Sequence, residues 1–145
     1  MIVVPGLYQL RIRLMRAATA RVGRLGRQPF DAGWYVYTGS ARGGLIQRVS
    51  RHLRPDKRLH WHIDYLLAVA DRVEAFVLPA PDLTECELHG SLVGGRTSIP
   101  GFGASDCMCR SHLAHFSRRP TIELVPWRRF LRAPTVVGYQ SLPCR

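Results

Sequence analysis

Leu7-Tyr8-Gln9-Leu10-Arg11-Ile12-Arg13-Leu14 alternates apolar and polar side chains without a break. Successive residues of a strand point to opposite faces, so this period of two predicts a half-buried strand. Tyr8, Leu10, Ile12 and Leu14 take the core side, and Gln9, Arg11 and Arg13 the solvent side. Downstream, Gly33-Trp34-Tyr35-Val36-Tyr37-Thr38-Gly39 concentrates aromatic and β-branched residues and predicts a second strand. Residues 73–78 predict a third, closed by Pro79 and Pro81.

Between the first two strands, residues 17–32 hold Gly23, Gly26 and Pro29 among arginines and read as a loop or short hairpin. After a turn at residues 40–44, Leu45, Ile46, Val49 and Leu53 form a helical stripe that Pro55 ends. Residues 60–70 read as a loop entering a helix. Asp82 or Thr84 is placed to cap another helix that runs from Glu85 toward Leu92. A glycine-rich loop covers residues 94–103, and residues 105–116 hold the Cys-x-Cys and His-Leu pieces. Residues 121–139 add two strand candidates broken by Pro126 and Pro134. The order strand, strand, helix, helix, strand, helix predicts a small α+β domain.

A chain of 145 residues fits one domain. It contains no run of about 20 apolar residues, the length needed to cross a bilayer. Residues 1–8 lack a basic, apolar leader, so a cytoplasmic location is expected. The net charge of +11 is unevenly spread. Residues 1–58 hold twelve Lys and Arg against two acids, residues 59–117 three against seven, and residues 118–145 six against one. Twenty of the 21 cations are arginine, whose planar fork of donors matches phosphate. The excess of cations favours a nucleic-acid partner over a membrane surface, because no basic stretch is also a clean amphipathic helix.

Phosphodiester hydrolysis needs a group that handles the proton of water. It also needs a cation on the phosphoryl oxygens, and a metal or acid that assists the leaving oxygen. Tyr8, Tyr37, Arg48, His52 and an acid among Glu85 and Glu87 supply these types. Arg48 and His52 are four apart and share one helix face. Taken singly, each has a plainer reading, as a solvated basic face or a core aromatic whose hydroxyl finds a partner. Cys86, Cys107, Cys109 and His112 offer a zinc site, with buried structural thiols as the stronger expectation.

The order Gly6-Leu7-Tyr8, Tyr37-Thr38-Gly39, Arg48 with His52, and then a helical glutamate resembles the GIY-YIG nuclease superfamily. More closely, several stretches resemble one prokaryotic branch of it, sometimes fused to endonuclease III-type DNA glycosylases. These are residues 33–41, 51–54, 60–65, 85–88 and 101–107, with Ser111-His112-Leu113. The resemblance covers residues 5–117. It implies a small three-stranded antiparallel sheet flanked by helices; a nuclease-like domain is then expected over residues 1–117, with the basic residues 118–145 as a C-terminal extension packed on it or trailing it. It implies hydrolysis of nucleic acid, DNA favoured, with magnesium or manganese.

By that resemblance Tyr8 is a general base or positions water, Tyr37 hydrogen-bonds in the site, Arg48 clamps the scissile phosphate, and His52 assists proton transfer. Glu85 or Glu87 binds the metal. Two residues apart on a helix, they face different ways, so one of them is expected to do so. Arg42, Arg51, Arg54, His60, Trp61 and His62 are expected on the nucleic-acid-binding side. For His60, Trp61, His62 and Asp64 the alternative is a structural helix entry with Asp64 as a buried acceptor. Residues 9–36 separate the two tyrosine motifs, a longer interval than in compact members, and Ser105 or Asp106 stands where the superfamily has a late asparagine.

Three functions are therefore expected to compete. The first is a metal-dependent endonuclease of DNA repair or processing. The second is a non-catalytic nucleic-acid-binding module on the same fold, with a DNA glycosylase as partner. The third is a small zinc-stabilised basic domain.

Overall fold

The computed structural model describes residues 3–97, 99–104 and 111–132. Strand β1 (Gly6–Leu14) lies at the heart of the sheet. The short strands β2 (Ala18–Arg21) and β3 (Arg27–Phe30) follow, then β4 (Gly33–Ala41). β4 returns antiparallel to β1, with Tyr8 opposite Gly39 and Leu10 opposite Tyr37. Helix α1 (Leu45–Leu53) and helix α2 (His62–Leu67) lead to strand β5 (Arg72–Pro79), which pairs antiparallel with the other edge of β1. Helix α3 (Glu85–Gly90) precedes β6 (Arg96–Thr97), β7 (Leu113–Phe116), β8 (Val125–Pro126) and helix α4 (Trp127–Arg132). The sheet order is β6-β7-β4-β1-β5-β8, with β2 and β3 forming a separate two-stranded ribbon.

This corrects the expected architecture. In place of a small three-stranded sheet flanked by helices stand a six-stranded antiparallel sheet and a ribbon, with four short helices among the described residues. β7 widens the sheet beyond β4, with Trp34 opposite Phe116 and Tyr37 opposite Leu113. All four residues of β7 are buried, so it lacks the alternation that reveals a strand. β6 and β8 have two residues each, too few to carry a period.

β1 is not half-buried either. Of its residues only Arg13 is less than fully buried. Tyr8, Leu10, Ile12 and Leu14 pack with Leu45 and Val49 of α1, Ile63 and Leu66 of α2, Phe102 and Leu113. On the opposite face the chain beyond β7 covers Arg11, whose Nη1 donates to Pro120 O at 2.9 Å and whose Nε donates to Glu74 Oε1 at 3.0 Å. A buried guanidinium is tolerated only with partners of this kind. A second apolar cluster of Val36, Ala114 and Phe116 lies behind the sheet, with Trp34, Leu92 and Ile122 against it.

The long interval between β1 and β4 is the ribbon. A single 3₁₀ turn (Gly23–Leu25) joins its strands, and Gly23 (φ 47°) and Gly26 (φ 72°) sit in the left-handed region that favours glycine. Val22 and Phe30 anchor the ribbon in the core. At the other end, Phe130 of α4 is buried in the same core, so the basic extension packs on the domain as far as Arg132. Residues 133–145, with the Pro134 strand candidate, lie outside the described residues. No helix among the described residues is long and apolar enough to cross a membrane.

Candidate active site

Tyr8 and Tyr37 come from neighbouring strands and lie on the same face of the sheet, their ring centroids 6.3 Å apart. Gly39, opposite Tyr8, explains the final glycine of the second motif. A Cβ there would run into the Tyr8 hydroxyl and ring, so only glycine lets the phenol lie flat across β4. Gly6 has a similar reason, since its Cβ would fall 2.5 Å from Leu78 O.

α1 brings His52 onto this pair. Tyr8 Oη and His52 Nε2 are 2.7 Å apart and buried. Burial holds the Tyr8 phenol well above its ordinary range, partly offset by the nearby Arg48. Tyr37 is raised for the same first reason, with Tyr8 adding to it. Burial pushes His52 down to about 3; Asp64 pulls the other way, while Arg48, Arg51 and Lys57 add to the depression. All three groups are therefore neutral near pH 7. His52 Nδ1 has no hydrogen-bond partner among the described residues. An orphaned acceptor is less costly than an orphaned N–H, so the proton belongs on Nε2, which donates to Tyr8 Oη.

A pH effect on stability follows. An unfolded histidine titrates near 6.5, so as pH falls the unfolded chain takes up its proton first. The contribution of His52 is full above about pH 6.5 and declines toward pH 3. His89, held down to about 4 by burial, acts in an overlapping window. In His52→Gln the melting temperature should fall less between pH 7 and pH 4 than in the parent. An identical pH slope would show that the imidazole is not held neutral by the fold.

Arg48, on the same helix face, is half-buried. Its Nη1 donates to Ser40 O at 3.0 Å, and its Cζ lies 4.3 Å from the Trp61 ring centroid. Arg51 lies at the same distance from Trp61 and makes a two-pronged bond to Asp64, Nη1 to Oδ1 at 2.9 Å and Nη2 to Oδ2 at 3.0 Å. Asp64 is fully buried and also accepts from the backbone N–H groups of His60 (2.8 Å) and Trp61 (2.9 Å). Burial alone would raise its pKa; the bonds from Arg51 and the two N–H groups outweigh that and hold it below the usual carboxylate range. Asp64, Arg51, Trp61 and Arg48 thus form a chain of contacts from the core to the cleft.

The cleft, about 300 Å³, is lined by Tyr8, Tyr37, Arg48, His52, Trp61 and Glu85, with Ser40, His60, His62 and the glycines 39 and 103. Glu85 and Glu87 are now distinguished by placement. Glu87 Oε1 accepts from Thr84 N at 2.9 Å while Thr84 Oγ1 accepts from Glu87 N at 3.1 Å, the reciprocal capping box of α3. Glu85 faces the cleft, its Oε2 3.5 Å from His112 Nδ1. The pattern Thr84-x-x-Glu87 is the sequence signal that separates the two, and it was available without coordinates.

The expected nucleic-acid-binding set divides. His60 and Trp61 line the cleft, but the Trp61 ring is already engaged by two arginines and is not an open stacking platform. His62 Nδ1 accepts from Gly103 N at 2.9 Å, tying the glycine-rich loop to α2, and burial lowers its pKa. Arg51 is committed to Asp64, which favours the helix-entry reading of this segment. Arg42 and Arg54 are exposed.

Cys86 Sγ lies 3.4 Å from His112 Nε2, while Cys107 and Cys109, like Ser105 and Asp106, lie outside the described residues. His89 is half-buried and bonds Thr38 Oγ1 through Nδ1 at 2.9 Å. Ser40 and Gly103 also line the cleft, inside stretches that carry the resemblance but outside the residues expected to act.

No group of three or more His, Cys, Asp or Glu among the described residues is placed to hold a metal. Magnesium keeps several waters and needs one or two carboxylates beside substrate phosphate, whereas structural zinc takes four protein ligands. Glu85 is the carboxylate that lines the cleft. No curated protein and no solved structure gives a significant match to the chain. One family profile, described as "Domain of unknown function DUF123", matches residues 7–129, and the chain belongs to that family.

Proposed function

We propose that the chain is a divalent-metal-dependent endonuclease of the GIY-YIG type that hydrolyses phosphodiester bonds in DNA in the cytoplasm. The observation that supports this most is the meeting of Tyr8, Tyr37, Arg48, His52 and Glu85, drawn from four separate elements, around one cleft. Magnesium or manganese at Glu85 would supply positive charge to the phosphoryl oxygens and acidify a bound water.

Arg48 offers the free part of its guanidinium to the scissile phosphate, held in aim by Ser40 O and Trp61. Tyr8 is a neutral phenol, so it orients the attacking water by hydrogen bonding and is not a standing phenolate base. With Nε2–H of His52 donating to it, its own O–H is left to donate into the cleft. Tyr37 packs against Phe102 and walls the site.

The test is cleavage of duplex, single-stranded, flapped and abasic DNA with Mg²⁺ or Mn²⁺ and with EDTA. Metal-dependent cutting is expected. Arg48→Ala should lower turnover about a hundredfold or more, the order lost with one phosphate-stabilising donor. Arg24→Ala, an exposed arginine on the ribbon turn, should stay within about twofold. Matched losses would reduce Arg48 to general surface charge. Binding without cutting by any of the proteins would favour the non-catalytic module, with a DNA glycosylase as the partner to seek.

A further inference from the structure

The cleft continues past Glu85. Ser40, Glu85 and Gly103 also line a second cavity of about 480 Å³, within the range that holds small ligands. Its walls differ in kind from those of the first. Tyrosine, histidine and Arg48 surround the first cavity, whereas Pro5, Leu7, Pro81 and Leu83 give the second an apolar side, with Thr84, Cys86 and His112 as polar groups and Arg42 exposed at the rim.

The wall that carries Pro81 and Leu83 is fixed. Ala80 N donates to Pro5 O at 3.0 Å, and Ala80 has φ 45°, a left-handed conformation that a residue with a side chain keeps only when its surroundings impose it. Prolines stand on either side, at 79 and 81. Such a wall is preformed and does not have to be ordered by the ligand.

We propose that this second cavity is a subsite for the nucleobase next to the scissile phosphodiester, and that the substrate therefore carries an unpaired nucleotide at the cut. The proposal rests on the phosphodiesterase reading of the first cavity. With the scissile phosphate at Arg48 and Glu85, the shared residues Ser40, Glu85 and Gly103 direct the adjoining nucleotide to the far side of Glu85. A hydrated phosphate gains nothing from two prolines and two leucines; a flat, neutral, largely apolar base does. Arg42 at the rim is placed for the next phosphate along. A base inside a duplex is stacked and paired, and extracting it costs a few kcal/mol, least where the strand is already single. Single strands, flaps and loops are accordingly the class that this cavity selects.

The test is fluorescence anisotropy with the full chain in EDTA, comparing a short oligothymidylate with an oligomer of the same length and charge built from abasic tetrahydrofuran units. The wild type should bind the oligothymidylate about tenfold more tightly, in keeping with the contribution of one sheltered base. Leu83→Trp, which fills the cavity from its half-buried wall, should abolish that ratio. Leu83→Ala, which cannot overpack the loop, should reduce it. Arg42→Ala should weaken both oligomers alike and leave the ratio intact.

Equal binding of the two oligomers by the wild type, or a ratio that survives Leu83→Trp, overturns the subsite. A base-dependent ratio abolished by Leu83→Trp, with no metal-dependent cutting of any DNA, would keep the subsite and reject the nuclease reading. Binding of neither oligomer rejects both.

Discussion

Glu85→Ala is expected to lower metal-dependent cleavage on the order of a thousandfold, whereas Glu87→Ala should leave kcat/KM within about twofold. A thousandfold corresponds to about 4 kcal/mol of barrier, the scale of a metal ion's contribution to a phosphoryl transition state. The two residues stand in one turn of α3, carry the same charge and differ only in where they point. Glu87 is spent on the backbone N–H of Thr84, so its loss should appear as about 1 kcal/mol of stability through the weakened cap. Glu85 faces the cleft beside Arg48 and His112. DNA binding by Glu85→Ala should be preserved or slightly tighter, because a negative charge leaves the phosphate-binding surface. Single-turnover cleavage and melting temperature, measured on both variants, read the two roles separately. Equal loss of cutting in the two, or full activity in the double variant, would remove Glu85 from the metal-binding role.

The largest loss of stability is expected at Asp64. Its side chain has no exposure, while that of Arg51 retains 21 %. Asp64→Ala leaves Arg51 with its bond to Arg58 O but without its carboxylate, and deprives two backbone N–H groups at the start of α2 of their acceptor. Removing one partner of a buried pair costs about 3–5 kcal/mol, and the partial exposure of Arg51 places this case near the low end, about 3 kcal/mol. In a chain of this size that is a fall of roughly 10 °C in melting temperature. Because the Asp64 pKa is depressed on folding, its contribution is present above the ordinary carboxylate pKa and is lost as pH drops through the lower, folded value. Kinetics add a second readout. With Arg51 released, Trp61 loses one of its two arginine contacts, and Arg48 loses a rigid backing. Turnover should fall at temperatures where the variant is still folded. A variant that melts like the wild type would mean that water or another group compensates Arg51.

What the sequence revealed and what it hid follow from the range of the forces involved. The alternation of residues 7–14 and the apolar stripe of α1 are local, and both elements appear where expected. The tyrosine motifs are legible because their glycines answer local close approaches, Gly39 to the Tyr8 ring and Gly6 to Leu78 O. The width of the sheet was hidden. β7 is buried along its whole length, and β6 and β8 are two-residue pairings that depend on the strand beside each, β7 and β5. Arg11 looked like a solvent-facing residue, since nothing near it in the chain announces that Glu74 and Pro120 will cover it. The same is true of Trp61, whose aromatic ring suggests base stacking until Arg48 and Arg51 are seen against it. Long-range pairing decided these cases, and a single sequence read locally carries little of it.

The two shortest strands have an effect out of proportion to their size. β6 and β8 form the two margins of the six-stranded sheet, and each offers only two residues of backbone to a passing chain. One carries Arg96, a charge, and the other Pro126, which has no N–H to donate. Without β8 the eight residues of β5 would become the margin, and without β6 the four apolar-rich residues of β7 would. Either would be a ready template for joining sheet to sheet between molecules. Residues 118–132 therefore shield one margin of the sheet as well as supplying positive charge.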